Sequence, residues 1–106
     1  MKLIFAIIQK EDARALTGAL VERGFSVTQV SSAGGFLRGG NATMMIGVED
    51  GKVEEVLSII QAESHSRTMT QPILALPELE SIPIPIEVKV GGATVFVVNA
   101  EGFYKY

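Results

Sequence analysis

The chain has 106 residues, 47% apolar and 20% charged, with nine basic side chains against twelve acidic ones, a net charge of −3 and no cysteine. That length suits one domain burying about two-thirds of its extended-chain surface. The composition excludes disorder, a disulfide framework and thiolate metal sites, and without blocks of like charge, bulk attraction to nucleic acid or an anionic membrane is not its organising principle.

The opening MKLIFAIIQKED carries an apolar run from Leu3 to Ile8 that is too short for a signal sequence or a membrane span. It reads as a central strand over 3–9, buried on both faces, in a soluble cytoplasmic protein. KEDARALTGALVERG follows, with Ala13, Leu16, Ala19 and Leu20 on one helical stripe. Glu11 and Asp12 favour the dipole at its start, and Arg23 with Gly24 closes it. Phe25 to Ser31 reads as a strand in which Phe25 and Val27 share a face and Val30 breaks the alternation, as a bulge would. A glycine-rich loop over 31–40 leads to an apolar strand from Asn41 to Val48. GVEDGKVEEVLSIIQAES supplies a second helix with a stripe of Val53, Val56, Leu57 and Ile60. Residues 64–83 have no consistent period and hold three of the four prolines, which predicts a long flexible loop over a site or interface. Ile84 to Val90 and Ala93 to Asn99 read as strands around Gly91 and Gly92, the arrangement of a two-residue hairpin.

This order is close to the split β-α-β arrangement of ferredoxin-like domains, an α+β class in which two helices cover one face of an antiparallel sheet. The strands starting at Leu3 and Asn41 are apolar at nearly every position, so the face without helices calls for a partner, and self-association is the simplest one.

Catalytic signals are weak. His65, the sole histidine, lies between two serines just beyond a helix end, with no acid to orient its ring. The pairs Glu49 with Asp50 and Glu54 with Glu55 fit a helix start and a polar face, Glu78 with Glu80 does not, and none of the three is read as a general acid and base. One histidine and scattered acids form no metal-ligand pattern.

The loop SSAGGFLRGGN, residues 31–41, has four glycines and no acid. It is neither a Walker A loop nor a dinucleotide fingerprint, because a strand and not a helix follows it. A mobile turn without ligand explains the glycines alone. Phe36 and Leu37 are apolar side chains that call for a cover, a planar ligand suits Phe36, and backbone N–H groups freed by glycine suit a phosphate. Asn41 offers a donor and an acceptor side by side, as the N6 and N7 edge of adenine requires; capping of the loop explains it equally well. Arg38 could meet a phosphate or keep the loop soluble.

SSAGGFLRGGNATMMIGV together with PIPIEVKVGGATVFVV resembles the PII-like cyclic-di-AMP receptor family of Gram-positive bacteria, and the similarity runs over essentially the whole chain, 1–106, as one domain. The resemblance implies a ferredoxin-like subunit with an added C-terminal hairpin, a homotrimer, and cyclic di-AMP in each cleft between subunits. It implies a receptor and not an enzyme, with no cofactor, no nucleic acid and no membrane, read by an unknown downstream protein. Carried over residue by residue, its pocket falls on Thr28, Gly35, Phe36, Leu37, Asn41, Gly47, Gly92 and Phe96, with adenines held by stacking and edge hydrogen bonds and phosphates by glycine amides. Members often carry polar or basic residues where this chain has Gly24 and Ser26, and Ala33 and Ala42 replace threonines common in the motif. The segment 64–83 corresponds to the family's flexible loop. Two other readings are a ferredoxin-like nucleic-acid binder, against which the acidic balance stands, and a structural or regulatory oligomer with another nucleotide or no ligand.

Overall fold

The computed structural model describes residues 1–30, 40–73 and 84–106. Strand β1 (Lys2–Gln9) runs directly into helix α1 (Lys10–Glu22), and strand β2 (Val27–Val30) follows. Strand β3 (Asn41–Val48) leads through a short 3-10 turn (Asp50–Lys52) into helix α2 (Val53–Ser64). Strands β4 (Arg67–Ile73), β5 (Ile84–Val90) and β6 (Ala93–Asn99) complete the chain. β2, β3, β1 and β6 lie in that order in one antiparallel sheet, the ferredoxin-like arrangement of an α+β fold with two helices.

Both helices pack on the same face of this sheet. Ile4, Ala6 and Ile8 of β1 and Met44, Ile46 and Val48 of β3 meet Leu16 and Leu20 of α1 and Val56 and Ile60 of α2 in one buried cluster. Each fully buried Ile, Leu or Met there contributes about 1.5–3 kcal/mol of burial free energy. α1 ends as its sequence predicts: Gly24 takes φ +86°, and the Gly24 and Phe25 amides fold back onto the carbonyls of Val21 and Leu20, each at 3.0 Å. An ion pair of 3.1 Å between Arg23 and Glu55 ties the two helices at the surface.

Several elements differ from the expectations. The β2 strand spans four residues, not 25–31, and its pairing with β3 is continuous from Val27 to Val30. Val30 therefore keeps the alternation by facing away from the helices, and no bulge interrupts this ladder. In α2 Ile59 is buried and Leu57 only half-buried, so the inward stripe is rotated from the expected one. The segment expected to be an irregular loop, 64–83, contains β4. Its backbone bonds are satisfied by β5, from Arg67 opposite Val90 to Ile73 opposite Ile84, so the strand needs no apolar period of its own.

The predicted hairpin between 84–90 and 93–99 does not form either: β5 pairs with β4 in a separate two-stranded ribbon, and β6 pairs with β1. Gly91 and Gly92, at φ +81° and +102°, connect one sheet to the other.

Candidate ligand site

Alternation along the strands sorts the candidate residues before any side chain is considered. Residues with even numbers on β1 and β3 face the helices; their odd neighbours make a second, helix-free face. The register across the sheet places Thr28 opposite Met45, Met45 opposite Phe5 and Phe5 opposite Phe96. Thr28 and Phe96 thus stand at the two edges of one row on the helix-free face. Gly47, opposite Leu3, lies on the same face one row toward Met1. Asn41, opposite Gln9, lies on it at the far end of β3, about 20 Å from Gly47 at the usual rise of a strand.

This face mixes polar side chains, among them Gln9, Asn41, Thr28 and Thr43, with large apolar ones. Leu3, Phe5, Ile7 and Met45 are half-buried, while Phe96 is 55% exposed with Val98 exposed beside it, and Val30 is exposed at the opposite edge of the sheet. At the Met1 end the chain's last residues fold over the sheet. They close a cavity of about 390 Å³ with Ser26, Thr28, Met45 and Gly47 on the sheet side and Gly102, Phe103 and Tyr104 on the other. The Phe103 ring lies over Gly47 with room to spare: a Cβ there would stand 3.8 Å from Phe103 Cε2, an ordinary contact. Two positive groups border this cavity. Lys2 donates to Asn99, and the Met1 ammonium donates to Asp50 at 2.7 Å. That hydrogen bond, with the ammonium's charge and a smaller contribution from Lys2, holds the Asp50 carboxyl below its ordinary range.

Gly92 sits at the opposite end, in the connection between ribbon and sheet. Its N–H donates to the Ser64 carbonyl at 2.5 Å, so the expected role of a free glycine amide is already taken in this subunit. What it presents is a bare Cα with open space where a Cβ would be. Gly35, Phe36 and Leu37 lie outside the described residues.

Phe103 and Tyr104 were not singled out by the sequence reading. The signal was present, since three of the chain's seven aromatic residues fall within its last four positions. Asp12 was read as a helix-dipole carboxylate, but it is buried and holds Arg67 in a two-pronged ion pair, at 2.7 and 3.4 Å. That hydrogen bond raises the Arg67 pKa further. His65 is exposed at the end of α2, with Nδ1 3.1 Å from the Gln61 carbonyl. Among the described residues, no three of His, Cys, Asp and Glu gather as metal ligands, and no helix is long and apolar enough to cross a membrane.

Comparisons with known proteins cover the chain end to end. A family model described as cyclic-di-AMP receptor matches residues 1–106. The crystal structure of a functionally unknown protein from Pediococcus pentosaceus ATCC 25745 is similar at 40% identity and a TM-score of 0.80, over 99% of this chain and 96% of that one.

Proposed function

The chain belongs to the PII-like cyclic-di-AMP receptor family, and from that premise we propose that it is a non-enzymatic signalling receptor of the cytoplasm, binding cyclic di-AMP in clefts between the subunits of a homotrimer. The observation that carries this reading is the helix-free sheet face. Four candidate residues, Thr28, Asn41, Gly47 and Phe96, share it, and it exposes large apolar side chains, Val30 at one edge and Phe96 and Val98 at the other, that a second copy would cover. A second copy over that face buries Phe96, Val98 and Val30 and brings ligand-binding residues of two copies to one seam.

The ligand's chemistry suits such a seam. Cyclic di-AMP offers two purine faces and two phosphates. Aromatic rings take the faces, the Asn41 carboxamide matches the N6 and N7 edge, and glycine-rich backbone admits close approach of the phosphates. No basic patch is required, in keeping with a net charge of −3. Phe36 and Leu37 complete the pocket from the loop before β3, and the complex is read by a downstream protein.

Titration calorimetry with cyclic di-AMP and cyclic di-GMP, alongside native mass spectrometry, tests both halves. The expected result is a trimer that binds the adenine compound and discriminates against the guanine one. A trimer binding neither would leave a structural or regulatory oligomer, or a receptor for another nucleotide; equal binding of both would remove adenine reading by Asn41.

A further inference from the structure

The Gly91–Gly92 connection is held from three sides. The Gly91 amide donates to Gln9 Oε1, at the end of β1, at 2.8 Å. The Gly92 amide donates to the carbonyl of Ser64, the last residue of α2. Ser64 is itself fully buried, with its hydroxyl donating to the Ile60 carbonyl. The third side is the Arg67 guanidinium. A Cβ on Gly91 would stand 2.5 Å from Arg67 Nη1 and would overlap the His65 carbonyl, so the glycine backbone lies directly against the arginine.

Arg67 is fixed in turn. Its Nη2 donates to Asp12 Oδ1 at 2.7 Å and its Nη1 to Oδ2 at 3.4 Å, and Nη1 also donates to the His65 carbonyl at 3.1 Å. Asp12 is only 6% exposed. A carboxylate so buried is unfavourable without its partner, so Arg67 cannot swing away while α1 stays docked. Arg67 is also the first residue of β4, paired with Val90, the last residue of β5 and the neighbour of Gly91. The root of the ribbon and the connection into β6 therefore meet at one ion pair, which adds to the Gln9 and Ser64 hydrogen bonds.

We propose that Asp12 and Arg67 form a clamp that positions the Gly91–Gly92 connection and the ribbon root together, making both of them positioning residues for a ligand held at Gly92. The ligand part of this inference rests on the receptor reading under Proposed function and on the family pocket carried over onto Gly92; the mechanical part does not. Because coupling between sites is reciprocal, whatever loosens the clamp weakens the ligand, and an occupied site stiffens the ribbon root.

Asp12→Asn, Arg67→Ala, Arg67→Lys and the double variant Asp12→Asn with Arg67→Ala test it, each read by amide hydrogen exchange without ligand and by calorimetry with cyclic di-AMP. Asp12→Asn and Arg67→Ala should each weaken binding about fivefold or more, with Arg67→Lys, which keeps the charge but not the two-pronged contact, in between. The double variant should be no weaker than the worse single one. Exchange should quicken at Gly91, Gly92, Arg67 and Val90 while β1 and β3 stay protected. Unchanged protection at Gly91 and Gly92, additive losses, or equal loosening of β1 and β3 would each overturn the clamp. If the unaltered trimer fails to bind cyclic di-AMP, the ligand reading falls while the exchange pattern still decides the clamp.

Discussion

The two faces of the four-stranded sheet are made by alternate residues of the same strands, yet they meet opposite environments. On one face Ile4, Met44 and Ile46 are fully buried under the helices. On the other, Leu3, Phe5 and Met45 are half-buried and Phe96 is mostly exposed. The open face also carries Thr28, Asn41 and Thr43, but its large apolar side chains are less covered than those of the other face. Among the described residues, one face is covered by two helices and the other by the short aromatic segment near Gly47. A face with large apolar side chains so little covered is a place where association and ligand binding can draw on the same surface, and that expectation separates the two faces experimentally.

The largest contrast is in stability. Ile46→Ala removes a buried side chain from the helix-covered face and should lower unfolding free energy by about 2–5 kcal/mol, read by urea titration. Phe96→Ala, on the open face, should leave the subunit's fold intact. If both substitutions destabilise equally, the second face is a closed core and the comparison fails.

In binding the order reverses. Phe36→Ala and Phe96→Ala should each weaken cyclic di-AMP by about 1–3 kcal/mol, the range for base–aromatic stacking, in calorimetry on a protein of unchanged mass. An unaltered dissociation constant would place that ring outside the pocket. Gly92→Ala tests the end of the face at the ribbon. Its φ of +102° makes any side chain strained although the space is open, so about 1–2 kcal/mol of stability should be lost. Gly91→Ala should be worse, because its Cβ would meet the His65 carbonyl and Arg67 as well.

How much of this was legible in the sequence depends on the range of the contacts involved. β3 and the cores of both helices could be read locally, because their periodicity and the glycine after α1 are contained in a few neighbouring residues. β4 was not legible, since RTMTQPI becomes a strand through a partner beginning at Ile84. Gly91 and Gly92 were read as a hairpin turn because positive φ serves a turn and a sheet-to-sheet connection alike. Asp12 looked like a helix-dipole carboxylate because its partner lies 55 residues further along. Within the candidate site, Asn41 and Gly47 share a face by parity alone, whereas Thr28 and Phe96 join them only through the register of three strand pairs.

The smallest expected effect lies at the rim where the two faces meet, at the exposed pair between Asp50 and the Met1 ammonium. The hydrogen bond and charge of the ammonium lower the Asp50 pKa in the folded chain below its ordinary value of 3.8. The unfolded chain thus takes up this proton first as pH falls. The pair's contribution is fully present above the ordinary value and disappears as pH drops through the lowered one. The difference in urea midpoint between the unaltered protein and Asp50→Asn should therefore be steady near neutrality and shrink toward zero in acid. Being solvent-exposed, it should also shrink with added salt, whereas the destabilisation by Ile46→Ala should be nearly indifferent to salt. A difference that grew as pH fell would mean that the carboxylate is destabilised where it stands, and that the Met1 end of the open face is held by packing of Phe103 and Tyr104 and not by charge.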